Sequence, residues 1–224
     1  APSSLADRCD GLAADIEAKT GLKVLGLLDS GGFFAISNSK RPIKTLEDMN
    51  GLRIRTMTLP THEATIASLG GQPTPLPWAE VYTALQTGVA DGQMNPIPII
   101  AFAKFDEVQK YLSITNHVIT PYIWTMNKAF YDGLTDAEKA VVDMAADVAV
   151  TSGMGISRII EASAEKGLPK LGERMQINAI DPAELQKLAA QAQPAVRAVI
   201  EEKFGPDGVE MLEVMMTNIE QVQK

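Results

Sequence analysis

The sequence predicts an α/β fold, a mostly parallel sheet with helices on both faces. Two observations carry this. Short apolar runs bounded by Gly, Pro or Asp alternate along the whole chain with segments of helical periodicity. No internal repeat or low-complexity segment interrupts that alternation, and 46% hydrophobic with 21% charged residues supplies the material for a core.

Residues 5–19 read as an amphipathic helix with Gly21 just past its end. Residues 22–28 are a buried strand, Ser30-Gly31-Gly32 a turn, and 33–37 an extended segment. Thr45-Leu-Glu-Asp48 caps one helical turn that Gly51 stops. From 52 to 57 the chain alternates, with Leu52, Ile54 and Thr56 on one face and Arg53, Arg55 and Met57 on the other. A helix over 60–69 ends at Gly70-Gly71. The prolines at 73, 75 and 77 force an extended stretch, and Pro77 starts a helix over 78–87 that ends at Gly88.

A very short strand is expected over 89–93, then a turn at Asn95-Pro96 and another helix. Residues 117–126 read as a strand. The capping box Thr135-Asp-Ala-Glu138 opens a long helix reaching about Lys166, bent near 151–155 by Ser and Gly. A strand over 174–180 precedes the cap Asp181-Pro182 and a helix expected to break near Pro194. Asp207 caps a last helix, in which Met211, Met215 and Met216 read as packing residues.

The net charge of −8 and the lack of a basic stripe argue against nucleic acid as a partner. No run of about 18 consecutive apolar residues occurs, so a membrane-inserted chain is not expected. Cys9 is the only cysteine, which rules out an intrachain disulfide, and its helical neighbours make it a core thiol. His62-Glu63 begins like a zinc-protease motif, but Ile66 stands where the second His belongs. There is no G-x-S-x-G elbow and no phosphate-binding loop. Neither a metal nor a cofactor nor a catalytic residue is expected.

Arg55 stands out near the carboxyl end of an alternating strand, where open α/β sheets bind ligands. A planar guanidinium suits a carboxylate, although an Arg there also reads as a surface residue paired to an acid. Trp78, after three prolines, either roofs a ligand or plugs the core, and the pattern favours the core. Asn95 either contacts a ligand or organises its turn, and the pattern favours the turn.

Three stretches are Gly51-Leu-Arg-Ile-Arg-Thr-Met57, Leu69-Gly-Gly-Gln-Pro-Thr-Pro75 and Trp78-Ala-Glu-Val-Tyr-Thr-Ala-Leu-Gln-Thr-Gly88. Val89-Ala-Asp-Gly-Gln-Met-Asn-Pro96, Glu107-Val-Gln-Lys-Tyr-Leu112 and Thr115-Asn-His117 follow in order. Together they resemble the DctP-type substrate-binding proteins of TRAP (tripartite ATP-independent periplasmic) transporters. The resemblance runs over essentially the whole chain.

It implies a two-lobed clamp like that of periplasmic binding proteins, with a long helix crossing both lobes. Residues 1–32 and 121–160 would belong to lobe I, and 33–120 and 161–224 to lobe II. Lobe I would be incomplete, lacking the family's N-terminal third and leaving a sheet edge or face uncovered. The family's carboxylate-gripping arginine falls on Arg55, its ligand-contacting asparagine on Asn95 and its covering aromatic on Trp78. Met57 and Thr58 fall on the loop that lines the cleft. Phe34 stands where relatives carry a second arginine, and Met94 replaces a glutamate, so both would make the cleft less charged. The implied function is a periplasmic receptor that captures a small organic acid, a monocarboxylate with an apolar or aromatic body, and passes it to TRAP membrane subunits. An enzyme acting on a small acid within a similar clamp is the alternative.

Overall fold

A computed structural model describes residues 5–222. The chain opens with α1 (Leu5–Thr20) and β1 (Leu22–Leu28), then β2 (Phe34–Asn38), β3 (Arg53–Thr56), α2 (Pro60–Ser68) and β4 (Gln72–Pro75). Next come α3 (Val81–Thr87), β5 (Gly92–Pro96), α4 (Ile97–Phe102), β6 (Tyr111–Ile114) and β7 (Tyr122–Asn127). The remainder holds α5 (Lys128–Asp132), α6 (Asp136–Ala162), α7 (Leu168–Leu171), β8 (Gln176–Ala179) and α8 (Pro182–Val222).

Six strands form one sheet in the order β4-β3-β5-β2-β6-β8, while β1 and β7 pair separately and antiparallel. In the large sheet β3 is parallel to β4 and β5, and β6 to β8. Only β2 runs against its neighbours β5 and β6. The α/β expectation therefore holds, with one central strand reversed. Strand alternation splits the side chains between two cores. Phe34, Ile36, Ile54 and Met94 pack with Ile66 of α2 and Leu188 of α8 on one face. Ala35 and Leu112 pack with Leu85 of α3, Ile100 of α4 and Leu171 of α7 on the other.

Local chemistry sets the boundaries. Pro60 occupies the first turn of α2, and Gly88 closes α3 at φ 75°, a conformation that favours glycine. Thr135 N donates to Glu138 Oε2 at 2.8 Å and Glu138 N to Thr135 Oγ1 at 3.4 Å, the expected capping box.

Several expectations fail for identifiable reasons. Asn95 and Pro96 lie inside β5, because β2 pairs with that segment as far as Pro96. Residues 111–114 form a strand that the pattern did not announce. The predicted strand over 117–126 begins only at Tyr122. Helix α6 passes through 151–155 without a break, and α8 passes through Pro194. The break comes instead at Gly205, where φ 61° and ψ −152° leave helical space. Met211, Met215 and Met216 are exposed at 45, 55 and 37% and do not serve as core packing. The side chain of Cys9 lies outside the described residues.

The small sheet leans on α6. A Cβ at Gly26 would stand 2.6 Å from Val150 Cγ2, so this glycine permits the close approach of helix and strand. The opposite face of α6 is apolar too, and open. Val141, Met144, Val148, Ile156 and Ile159 recur at helical spacing and are all more than half exposed. Its most apolar stretch reaches a mean hydropathy of 1.2, enough for a spanning segment by length and composition. On β7, Tyr122 and Ile123 are about as open, at 53 and 49%.

Beside the large sheet His62 is buried and His117 is half-buried. His62 packs edge-on against Phe34 with ring centroids 6.0 Å apart, and His117 Nδ1 lies 2.6 Å from Thr115 Oγ1. His62 Nδ1 and His117 Nε2 are buried without a hydrogen-bond partner among the described residues. Burial, reinforced by the neighbouring His62, pushes His117 down to about 4. Burial and then the Arg55 charge lower His62 as well.

Two predictions follow from this packing. β5 lies between β3 and β2, and a Cβ at Gly92 would overlap the Ser37 carbonyl oxygen and crowd Asn38 Cβ at 2.7 Å. Gly92→Ala should therefore lower the urea midpoint by the equivalent of about 1–3 kcal/mol. An unchanged midpoint would mean that the sheet accommodates the methyl group. The second concerns pH. A histidine held below its unfolded value stabilises the fold fully above about pH 6.5 and loses that contribution as pH falls towards its folded value. Between about pH 7 and pH 4 His117 should cost the fold on the order of 3 kcal/mol. Urea midpoints of His117→Asn, which keeps a polar atom near Thr115 and does not titrate, should fall less steeply over that range. Parallel curves for the two proteins would refute this.

Candidate functional site

The carboxyl ends of three parallel strands converge on one cavity of about 630 Å³, within the usual range for small-molecule sites. Arg55 comes from the end of β3, Leu76 from just beyond β4 and Asn95 from the end of β5. Met57, Thr58 and Leu59 continue from β3, Pro77 and Trp78 from β4, and Ile99 and Phe102 lie on α4. Tyr122 of β7 also lines it, so both sheets contribute to the wall.

Arg55 is 2% exposed. Its Nε and Nη2 donate to the Leu76 carbonyl at 2.9 and 2.6 Å. No carboxylate among the described residues lies within ion-pair distance of it. Burial alone holds the guanidinium below the ordinary arginine range.

Arg53 shows the contrast. It projects from the same face of β3, two residues earlier, and grips Asp91 through Nε at 3.1 Å and Nη2 at 2.7 Å. Hydrogen bonding to Arg53 is the first reason that Asp91 is held below the usual carboxylate range. One arginine is thus neutralised within the chain and its neighbour is not.

Asn95 is 8% exposed and lines the cavity. Its Nδ2 donates to Gln93 Oε1 at 2.5 Å, and Gln93 Nε2 donates to Ser37 Oγ at 2.9 Å. Trp78 is 48% exposed, with its ring tilted against Phe105 at 5.8 Å between centroids. It stands at the mouth of the cavity and does not plug a core. Around Arg55, Thr58 and Asn95 the lining is apolar and aromatic.

The structure thus brings Arg55, Met57, Thr58, Trp78 and Asn95 to one place. Phe34 does not join them. Ala35 is the residue paired with Asn95, so Phe34 projects to the opposite face and is 3% exposed in the α2 core. Its neighbour Phe33 is the exposed member of the pair, at 50%. Met94 also turns away from the cavity, paired with Ile36 in that same core. Neither residue sets the polarity of the cleft directly, which corrects the expectation for both. Leu59, Leu76, Ile99, Phe102 and Tyr122 were not anticipated, since single apolar residues near loops carry no signal that separates lining from packing. A second hollow, at the α8 break, is lined by Glu201 and Glu210 and offers no cation.

Residues 6–203 match the family described as bacterial extracellular solute-binding protein, family 7 (DctP). The chain is 39% identical over 194 residues to a solute-binding protein of Verminephrobacter eiseniae, covering 86% of this chain and 56% of that protein. It is 44% identical over 137 residues to the 2,3-diketo-L-gulonate-binding periplasmic protein YiaO of Escherichia coli K12, covering 61% of this chain and 41% of that one. A crystal structure of a TRAP periplasmic solute binding protein from Polaromonas sp. JS666, bound to D-erythronate, superposes with a TM-score of 0.78 at 35% identity. That match covers 90% of this chain and 64% of the Polaromonas chain. The chain thus spans less than two thirds of the length of each of these relatives. With its α/β architecture and a cavity at the carboxyl ends of β3, β4 and β5, it belongs to family 7 of the bacterial extracellular solute-binding proteins, the DctP-type proteins of TRAP transporters.

Proposed function

We propose that this protein is an extracytoplasmic receptor that captures a small monocarboxylate with an apolar body and delivers it to a TRAP-type membrane transporter. The observation that carries this reading is the Arg55 guanidinium, buried in a ligand-sized cavity and facing no carboxylate among the described residues. A buried charge without a counter-charge is costly, and an incoming acid supplies the missing partner. Among the described residues Arg55 is the only cation in a lining otherwise made of Thr58, Asn95 and apolar or aromatic side chains, which favours one carboxylate over two. The Polaromonas relative was crystallised with an acid, and the Escherichia coli relative is named for one.

No bond is made or broken in this reading. Arg55 and Asn95 hold the polar end of the ligand from the large sheet, and Tyr122 approaches its body from the small sheet. The two sheets correspond to two lobes, with residues 33–120 and 161–224 forming the one that carries Arg55. A ligand touching both sides favours the closed arrangement over the open one. Closure removes water and strengthens the Arg55–carboxylate attraction.

Arg55→Met, which keeps the bulk and drops the charge, should weaken binding of a monocarboxylate by about 2–5 kcal/mol, on the order of 30-fold to several thousand-fold. Isothermal titration calorimetry of both proteins measures this. Free of ligand, the variant should unfold no earlier than the parent, having shed a buried unpaired charge. Equal affinities would remove Arg55 from the site and the receptor reading with it.

A further inference from the structure

Helix α6 has one face packed on the small sheet and one that no described residue covers. On the packed face Val150 stands against Gly26, and Gly153 against Leu28. On the other, Val141, Met144, Val148, Ile156 and Ile159 are 60, 63, 61, 52 and 69% exposed. Ala145, Ser152, Gly155 and Ala162 lie open among them. At 3.6 residues per turn these side chains fall within an arc of about 120°, and none of them carries a charge. Asp143 and Arg158 project outside that arc and are engaged within the chain. Asp143 Oδ2 accepts from Tyr131 Oη at 2.8 Å, and Arg158 Nη2 donates to Asp29 Oδ2 at 3.1 Å.

The open stripe reads the same from either end. Through Val141, Met144, Val148, Ser152, Ile156 and Ile159 the steps are three, four, four, four and three residues, symmetric about residue 150. A two-fold axis beside that residue lays an antiparallel copy of the helix alongside and matches the stripe with itself. Val141 then meets Ile159, Met144 meets Ile156, Ala145 meets Gly155 and Val148 meets Ser152. The large apolar pairs fall towards the ends and the small residues next to the axis, where they let the two backbones approach. Antiparallel pairing also sets the two helix dipoles head to tail.

We propose that α6 is the contact of a two-fold symmetric dimer, in which the open face of one copy is covered by the same face of a second copy. A lipid surface would give no reason for the symmetry. It also disagrees with the charge of the helix, where five acids stand against Lys139 and Arg158, a surplus that opposes anionic lipid. Nor can α6 enter a bilayer while its other face holds the small sheet. The stripe offers roughly 500 Å² per copy, so the pair removes about 1,000 Å² from water, the lower limit of a specific interface. The dimer is therefore weak, with a dissociation constant on the order of 10–100 μM.

Sedimentation velocity of the whole chain between about 1 and 200 μM should show monomer giving way to dimer. Val148→Glu sets a charge on the stripe beside the axis. It should leave the thermal midpoint unchanged and raise the dissociation constant at least about tenfold. Met144→Cys and Ile156→Cys, each in a Cys9→Ser background, test the orientation. Mild oxidation of the two proteins mixed should give a disulfide-linked dimer, and oxidation of either alone should not. A chain that stays monomeric throughout, or a dimer that Val148→Glu leaves intact, overturns the proposal. Crosslinking of Met144→Cys to itself overturns the antiparallel arrangement. Capture of the monomer by phosphatidylglycerol vesicles, abolished by Val148→Glu, assigns the face to lipid and also overturns it. Arg55→Met should dimerise as the parent does, so the outcome does not depend on the receptor reading. Sedimentation of the parent and Val148→Glu decides the matter even where the Cys9→Ser background fails to fold.

Discussion

The site depends on a guanidinium that folding has taken out of water without giving it a counter-charge. Among the described residues Arg55 reaches only the Leu76 carbonyl, a dipole with no net charge to offset its own. The arrangement arises because β3 and β4 are parallel, so the chain leaving β4 passes the end of β3 and presents its carbonyl there. Two residues earlier on the same strand, Arg53 meets Asp91 and is neutralised. The difference lies in the neighbours and not in the strand. Asp91 stands at the amino end of β5, beside the start of β3, and no carboxylate among the described residues comes within ion-pair distance of Arg55 at the other end. Much of the desolvation cost of an arginine–carboxylate pair has therefore already been met on the protein side before any ligand arrives.

How much of this was legible in the sequence follows from what alternation does and does not encode. The alternation over 52–57 separates Ile54 from Arg55, and the structure places them on opposite faces. It could not separate Arg53 from Arg55, which share a face and differ only in whether an acid 36 or 38 residues further on comes to meet them. Phe34 and Met94 were misplaced for a related reason. Their position along the strand is close to the cavity, but one residue of register sends a side chain to the other side of the sheet. For Trp78 the pattern alone favoured a core, because a large aromatic usually is buried, and only the resemblance placed it over a ligand. Here the prolines before it hold the chain extended and leave the indole at the cavity mouth. The break in α8 was placed at Pro194 by the missing N–H, whereas the helix tolerates that proline and ends where Gly205 takes a positive φ.

The two halves of the cavity wall are unequally supported. Arg55 and Asn95 stand on central strands of a six-stranded sheet with a packed core on each face. Tyr122 stands on a two-stranded ribbon whose outer residues are open and which is supported by α1 and one face of α6. An isolated pair of strands is marginal in water, and a helix apolar on two opposite faces is not satisfied by contact on one. Local opening should therefore cost less on the Tyr122 side than on the Arg55 side. That asymmetry suits a clamp, in which one jaw holds fixed chemistry and the other moves.

It also sorts the chemistry of recognition by rigidity. The groups that must be placed to within a fraction of an ångström, a guanidinium and an amide, stand on the six-stranded sheet. Arg55 is tied through Leu76, and Asn95 through Gln93 and Ser37. The groups that only need to exclude water, Tyr122 and Phe102 among them, come from the ribbon and from α4, where small displacements matter little. An apolar wall contributes through area removed from solvent and tolerates being moved. A hydrogen bond falls off steeply with angle and does not. In the proposed receptor, directional contacts on the six-stranded side and non-directional contacts on the other would let the molecule open and close without disturbing the geometry at Arg55.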